Sequence, residues 1–216
     1  MAMQQPVMKL IPKDSIRWHV HEIAARIDAD YPDGILYLLG VLQGSWMFLA
    51  DLARAIKRPV RIDFMSVHRI RRGEEVSNPG QEALITRYPE SLLLDDSHVL
   101  IVEDIVGTGV TIKRIRTYLA TLRPRSVQVV TLLDKPSRRT VRGLDLKYVG
   151  CQVPNVFVVG YGMDYEQDYR NLSDIHILRR CTYKHCVFYT SDAKDFCSEA
   201  CARSDFSTRE IELVKE

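Results

Sequence analysis

The sequence predicts an α/β protein: a parallel twisted sheet flanked by helices, with a short Cys-rich C-terminal extension. Three observations carry that expectation. Apolar runs follow one another in the order strand, helix, strand, which starts an α/β sheet. The run ILYLLGVL (35–42), and Val99 to Val102 within HVLIVEDI (98–105), are apolar at consecutive positions, as strands covered on both faces are. A length of 216 residues with a hydrophobic fraction of 46% fills a sizeable core in one domain and leaves chain for an appendage.

The elements follow in order. Asp14 and Ser15 can each cap a helix, and Ile16, Val20, Ile23, Ala24 and Ile27 recur at helical spacing as far as the Tyr31-Pro32-Asp33-Gly34 turn. Strand 35–42 leads into a helix at WMFLADLARAI (46–56) and then a strand at VRIDFMSV (60–67), where alternate residues are apolar. Residues 68–95 are polar, with a basic run His68-Arg69-Ile70-Arg71-Arg72 and an Asn78-Pro79-Gly80 turn. They read either as a mobile excursion over a site or as a solvated loop or short hairpin without a role. Strand 98–105 is followed by a helix at TIKRIRTYLATL (111–122), with Ile112, Ile115, Leu119 and Leu122 on one face, and by a strand at SVQVVTLLDK (126–135). Shorter strands are expected around 147–153, 156–161 and 175–178.

Thirty Lys and Arg against 28 Asp and Glu leave a charge balance that calls for neither nucleic acid nor an anionic membrane. A small-molecule partner is expected instead. No apolar run approaches a membrane span, and the stretch MAMQQPVMKLIPKD lacks the apolar core of a secretory signal, so a cytoplasmic protein is expected.

The chemistry concentrates in VLIVEDIVGTGVT (99–111). Ligands of open α/β sheets bind beyond the carboxyl ends of the strands, where Glu103 and Asp104 are expected to emerge. Gly107, Thr108, Gly109, Val110 and Thr111 then open a helix. Inward-turned amides, threonine hydroxyls and a helix N-terminus suit a phosphate, and two carboxylates beside it suit sugar hydroxyls. Together they describe a ribose 5-phosphate. Neither the Gly-Lys-Ser/Thr of a nucleoside-triphosphate loop nor a G-x-G-x-x-G fingerprint is present.

VLIVEDIVGTGVT resembles the diphosphoribosyl-binding motif of type I phosphoribosyltransferases. VLQGSWMFLADL (41–52), DFMSV (63–67), LLDK (132–135), VPNVFVVGYGMDY (153–165) and YRNL (169–172) narrow the resemblance to hypoxanthine-guanine phosphoribosyltransferases, over roughly residues 10–180. It implies a type I phosphoribosyltransferase fold in 1–180 and an enzyme of purine salvage. With Mg²⁺, such an enzyme moves ribose 5-phosphate from phosphoribosyl diphosphate onto N9 of a 6-oxopurine, giving IMP or GMP, and assembles as a homodimer or homotetramer.

Carried onto this sequence, the resemblance has Glu103 and Asp104 hold the ribose hydroxyls and the Gly107 to Thr111 backbone and hydroxyls hold the 5′-phosphate, with Ile105 and Val106 also among the substrate-binding residues. Gln43 and Gly44 frame the diphosphate. Lys135 bonds the purine O6, Phe157 stacks on the base and Val158 reads the purine edge through its backbone. Asp164 faces the Mg²⁺, and Arg170 grips the diphosphate. A lysine donating to O6 favours 6-oxopurines, because a 6-amino group would leave it unpaired.

Three positions depart from the family pattern. The family carries Asp where this chain has Gly107, and that Asp accepts the base N7 proton. Glycine, with the freest backbone, suits the loop's geometry but takes no proton. A positioned general base contributes ~10²–10⁴-fold, so slow transfer with binding retained is expected. Gln43 replaces a family Lys or Arg, and Arg69-Ile70 replaces the Ser-Tyr of the mobile loop. Two classes therefore stay open: a purine phosphoribosyltransferase of weak activity, or a catalytically impaired paralogue that binds purine nucleotide or phosphoribosyl diphosphate as a regulatory module.

In the last segment, 181–216, Cys181, Cys186, Cys197 and Cys201 follow the pattern C-x4-C-x10-C-x3-C. Its second half, FCSEACARSDF, resembles the FCS-x-x-C half of small zinc fingers. Four thiolates suit tetrahedral Zn²⁺, and reduced thiols packing as small hydrophobes suit the same spacing. The end of the chain, FSTREIELVKE (206–216), is polar and is expected to fray.

Overall fold

A computed structural model describes residues 8–69, 83–89, 96–180 and 189–190. Along the chain these form β1 (Met8–Ile11), α1 (Lys13–Asp30), β2 (Leu36–Leu42), α2 (Trp46–Ala55), β3 (Arg61–Arg69), β4 (Ala83–Arg87), β5 (His98–Val106), α3 (Val110–Ala120) and β6 (Ser126–Asp134). A 3-10 turn at Pro136–Arg138 follows, then β7 (Tyr148–Gln152), β8 (Val158–Val159), β9 (Ile175–Ile177), β10 (Arg179–Arg180) and β11 (Tyr189–Thr190). The chain divides into two compact units, Arg17–Gln152 on the one hand and Met1–Ile16 with Val153–Glu216 on the other.

The unit Arg17–Gln152 holds a six-stranded sheet in the order β4-β3-β2-β5-β6-β7. Its strands run parallel except β4, which pairs antiparallel with β3 at the edge. β2 and β5 lie at the centre and are apolar on both faces, as the consecutive hydrophobic runs predict. α2 buries Phe48, Leu49 and Leu52, each stabilising by roughly 1.5–3 kcal/mol relative to exposure. It approaches β2 closely, since a Cβ on Gly40 would lie 2.7 Å from Leu49 Cδ2. α3 turns Ile112, Ile115 and Leu119 into a cluster with Tyr37, Leu39, Met65, Ile101 and Val129. At the foot of β7, the Tyr148 hydroxyl donates to Asp30 Oδ2 at 2.6 Å and Lys147 Nζ reaches the same oxygen at 2.9 Å. That pair pins the last turn of α1 to β7.

The other unit holds a three-stranded antiparallel sheet in the order β1-β9-β8, over a small cluster of Val159, Tyr169 and Leu178. Lys9 Nζ and the Lys13 amide share the Asp174 carboxylate at 2.6 and 2.7 Å and fasten β1 to β9. β10 and β11 form a separate two-stranded ladder.

One local expectation is corrected, at the start of α1. α1 starts at Lys13, and the Ile16 amide bonds the Pro12 carbonyl at 3.0 Å, so Asp14 and Ser15 belong to the first turn and do not cap it. The polar stretch 68–95 contains β4, where Ala83 and Ile85 are buried and alternate with exposed Leu84 and Thr86. Residues 70–82 and 90–95 of that stretch lie outside the described residues. β5 runs one residue past the expected 98–105, to Val106, with Glu103 and Asp104 inside it as that expectation has them.

Candidate functional site

β5 leaves its last partner on β2 at Val102 but stays paired to β6 as far as Val106. Glu103 and Asp104 occupy this one-sided stretch and are both half-buried. Alternation along the strand sends them to opposite faces. Asp104 lies against the β2–α2 turn: a Cβ on Gly44 would stand 2.0 Å from its Oδ2, so glycine there is what lets the carboxylate occupy its place. The preceding Leu42–Gln43 peptide is cis, and Gln43 is exposed. Ser45 is buried and donates to the Val41 carbonyl at 2.7 Å, which holds the turn onto the end of β2.

The loop after β5 has its carbonyls on one side. Val106 accepts from the Lys135 amide at 3.0 Å, Gly107 from Arg139 Nη1 at 2.8 Å, and Thr108 from the amides of Thr140 and Val141, both at 3.1 Å. A planar trans peptide sets each C=O opposite the next N–H, so the amides of Gly107, Thr108 and Gly109 face away from the 135–141 segment. Gly109 has φ +87°, and a Cβ there would meet Leu144 Cδ2 at 2.7 Å. It delivers the chain into α3, whose first residues Val110 and Thr111 carry the partial positive charge of the helix N-terminus. Amides turned outward at a helix start are an anion site.

Gly107 fits the loop without being required by it. Its φ lies outside the left-handed range, and a Cβ there would meet nothing nearer than Arg138 Cβ at 3.9 Å. The loop's geometry does not demand glycine at this position.

Lys135 is 9% exposed, at the end of β6, and opens the 3-10 turn. Beside it, Asp134 is ion-paired with Arg139. Sequence reasoning passed over both members of that pair, and the only signal for them was the Arg138-Arg139 step after LLDK.

The second unit carries the remaining candidates. Half-buried Phe157 meets Tyr165 edge-to-face at 5.8 Å between centroids. The Leu178 amide donates to the Phe157 carbonyl at 3.0 Å, across a ladder in which Val158 faces Ile177. In antiparallel alternation this makes Val158 the non-hydrogen-bonded position, so its N–H and C=O point away from β9 at the open edge of β8. Asp164 Oδ1 receives Arg170 Nη2 at 2.8 Å and its Oδ2 accepts the Gln167 amide at 3.0 Å, while Arg170 Nη1 donates to the Gly162 carbonyl at 2.8 Å. The carboxylate is thereby held rigidly with lone pairs to spare. Mg²⁺ is bound through one or two carboxylates with waters and substrate oxygens, and this donor set fits it.

Cys181, Cys186, Cys197 and Cys201 lie outside the described residues. Among the described residues no three His, Cys, Asp or Glu converge as a metal group, and no helix is long and apolar enough to cross a membrane.

Residues 13–166 match the phosphoribosyl transferase domain family. A hypoxanthine-guanine phosphoribosyltransferase of Staphylococcus aureus is 39% identical over 176 residues, covering 82% of this chain and 96% of that protein. Among solved structures, a hypoxanthine phosphoribosyltransferase from Staphylococcus aureus superposes with a TM-score of 0.72 at 39% identity, over 78% of this chain and 89% of its own. A Trypanosoma cruzi hypoxanthine phosphoribosyl transferase, studied for the role of its C-terminal region in oligomeric state and enzymatic activity, gives 0.72 at 36% identity over 83% and 93%.

Proposed function

The chain belongs to the phosphoribosyl transferase family, and from that premise we propose that it transfers ribose 5-phosphate from phosphoribosyl diphosphate to N9 of hypoxanthine or guanine, giving IMP or GMP at a reduced rate. The observation that carries the reading is the end of β5, where an acid seated on Gly44 precedes a loop whose amides face outward into the start of α3. A phosphorylated pentose matches that arrangement: carboxylates accept from its hydroxyls, and amides donate to its phosphate.

In the reaction the C1′–O bond to diphosphate breaks with its electron pair, a C1′–N9 bond forms, and the base gives up a ring proton. Positive charge develops on the sugar, where Glu103 and Asp104 stabilise it. Lys135 donates to O6, Phe157 stacks on the base, and the outward amide and carbonyl of Val158 read its edge. Arg170 holds the diphosphate, and Asp164 would hold Mg²⁺, a group that would neutralise the charge of the departing diphosphate. Gly107 supplies no proton acceptor, which is the ground for the reduced rate. The same open position at 107 favours the second reading, a purine-nucleotide or phosphoribosyl-diphosphate binding module that no longer turns over at a useful rate.

Assembly as a homodimer or homotetramer belongs to this reading. So does a 181–216 appendage in which Cys181, Cys186, Cys197 and Cys201 hold Zn²⁺, a point that metal analysis of the purified protein decides.

The deciding measurement is a Mg²⁺-dependent assay with phosphoribosyl diphosphate and each 6-oxopurine, run beside GMP binding. Slow formation of IMP or GMP is the expected result. GMP binding without turnover selects the binding module, and the absence of both removes the assignment.

A further inference from the structure

We propose that Arg139 is a positioning residue for the 107–109 loop, fixing the direction of its peptides while touching no substrate itself. The inference rests on the reading of that loop as a phosphate cradle and extends it to a residue outside the motif.

One side chain makes two bonds behind the loop and stands close to Gly109. Nη1 donates to the Gly107 carbonyl at 2.8 Å, Nη2 pairs with the Asp134 carboxylate at the end of β6, and Cδ lies 3.6 Å from where a Gly109 Cβ would be. The two residues that follow continue the same backing. Thr140 and Val141 both donate their amides to the Thr108 carbonyl, and Thr140 Oγ1 adds a third bond there at 3.3 Å.

Because the peptide is planar, holding the Gly107 carbonyl from behind aims the Thr108 amide forward, and holding the Thr108 carbonyl does the same for Gly109. A glycine-containing loop has little side-chain packing to set its peptides, so an outside anchor has to do it. Asp134 in turn orients the guanidinium: the pair is 8% and 19% exposed at the side chains, which leaves little water to compete.

The chemistry asks for arginine. Two acceptors, the Gly107 carbonyl in the loop and the Asp134 carboxylate at the end of β6, need two N–H groups in a fixed fork, which a lysine ammonium does not present. If the Asp134 pair were there only to stabilise the fold, a lysine would replace Arg139 with the ion pair retained. If the fork sets the loop, lysine keeps the charge and loses the alignment.

The test uses the full chain with Arg139→Lys and Arg139→Gln. For both variants the expected result is GMP affinity lowered by about tenfold or more and KM for phosphoribosyl diphosphate raised to match, with KM for hypoxanthine and kcat within about twofold. A purely structural role would lower the melting temperature and the active fraction but leave KM where it was. Arg139→Lys binding GMP as tightly as the wild type overturns the inference and leaves the proposed function standing. Failure of the wild type to bind GMP or ribose 5-phosphate removes the cradle and the inference with it. Should neither variant fold, amide NMR of the wild type decides. The Thr108 and Gly109 N–H signals are expected to move when GMP is added, and if they stay fixed the loop is not aimed as proposed.

Discussion

Gly107→Asp tests the proposed chemistry at the position where the proposal lacks a proton acceptor. The nearest atoms to a Cβ at 107 are Arg138 Cβ at 3.9 Å and Cδ at 4.0 Å, ordinary van der Waals contact, and the backbone there is not left-handed. The substitution therefore enters without displacement. It removes glycine's excess freedom from the unfolded chain, a gain of about 0.4–1 kcal/mol. For a chain of this size, that is a melting temperature raised by roughly 1–4 °C. A positioned general base is worth ~10²–10⁴-fold, or about 3–5 kcal/mol of barrier. The assay is initial-rate formation of IMP and GMP with saturating Mg²⁺ and phosphoribosyl diphosphate, with GMP affinity measured in parallel. A kcat gain below about tenfold in a variant that melts normally and binds GMP would refute the assignment of position 107 to the base, since proton acceptance would then not limit the wild type.

Gly44→Ala places a methyl 2.0 Å from Asp104 Oδ2, and only the tip of that side chain has to give way. The protein is expected to fold, with KM for phosphoribosyl diphosphate raised about tenfold or more, whereas an unchanged KM takes Asp104 out of the sugar site. Tyr148→Phe deletes the 2.6 Å bond to Asp30 from a ring with no exposure. It should cost about 1 kcal/mol and lower the melting temperature by roughly 2–4 °C in a thermal scan, and no change would make the α1–β7 fastening negligible. Burial first, then the charges of Arg125 and Arg58, hold His98 below its ordinary pKa. The unfolded chain thus takes up that proton at a higher pH than the native one, and stability from this group is present above roughly pH 6.5 and lost as the pH falls below it. His98→Gln should flatten the slope of melting temperature against pH between about 7 and 5, with His19 and His176, also lowered by burial, supplying what slope remains; an identical slope would discharge His98.

The elements that were legible in the sequence are those whose period and burial are set locally. β2, α2, β5, α3 and β6 fall within a residue or two of their apolar patterns, because each is long enough to show its period and both faces of the central strands are covered. β1 and β4 were not legible. Met8–Ile11 is a strand only because β9, far along the chain, pairs with it, and Ala83–Arg87 carries just two buried residues inside a polar stretch. The start of α1 was misplaced for a similar reason: Asp14 and Ser15 are good capping residues, but the Pro12 carbonyl already accepts the Ile16 amide. The site divides in the same way. VLIVEDIVGTGVT announces an acid pair and a loop, whereas the residues that aim them, Arg139 behind the loop and Gly44 beneath Asp104, act across distances no local pattern encodes.

The three glycines of the site show how far a motif can be read as a string. Gly109 is required by its backbone, at φ +87°, where an L side chain is strained and a Cβ would also strike Leu144. Gly44 is required by its neighbour, because any side chain there competes with the Asp104 carboxylate for the same space. Gly107 is required by neither. Its backbone is ordinary and the space beside it is open, so the fold exerts no pressure for glycine at that position. On the proposed reading, the base proton at 107 has two possible fates. Either the proton leaves the base by another route, water being the simplest, or the step is slow and the chain is used for what it binds. Those alternatives differ in their pH dependence. Transfer to water leaves kcat without an acidic limb near the carboxylate range, and restoring a carboxylate by Gly107→Asp introduces one. If such a limb is already present in the wild type, another carboxylate accepts the proton, and Glu103 and Asp104, proposed above for the sugar, become the first residues to reassign.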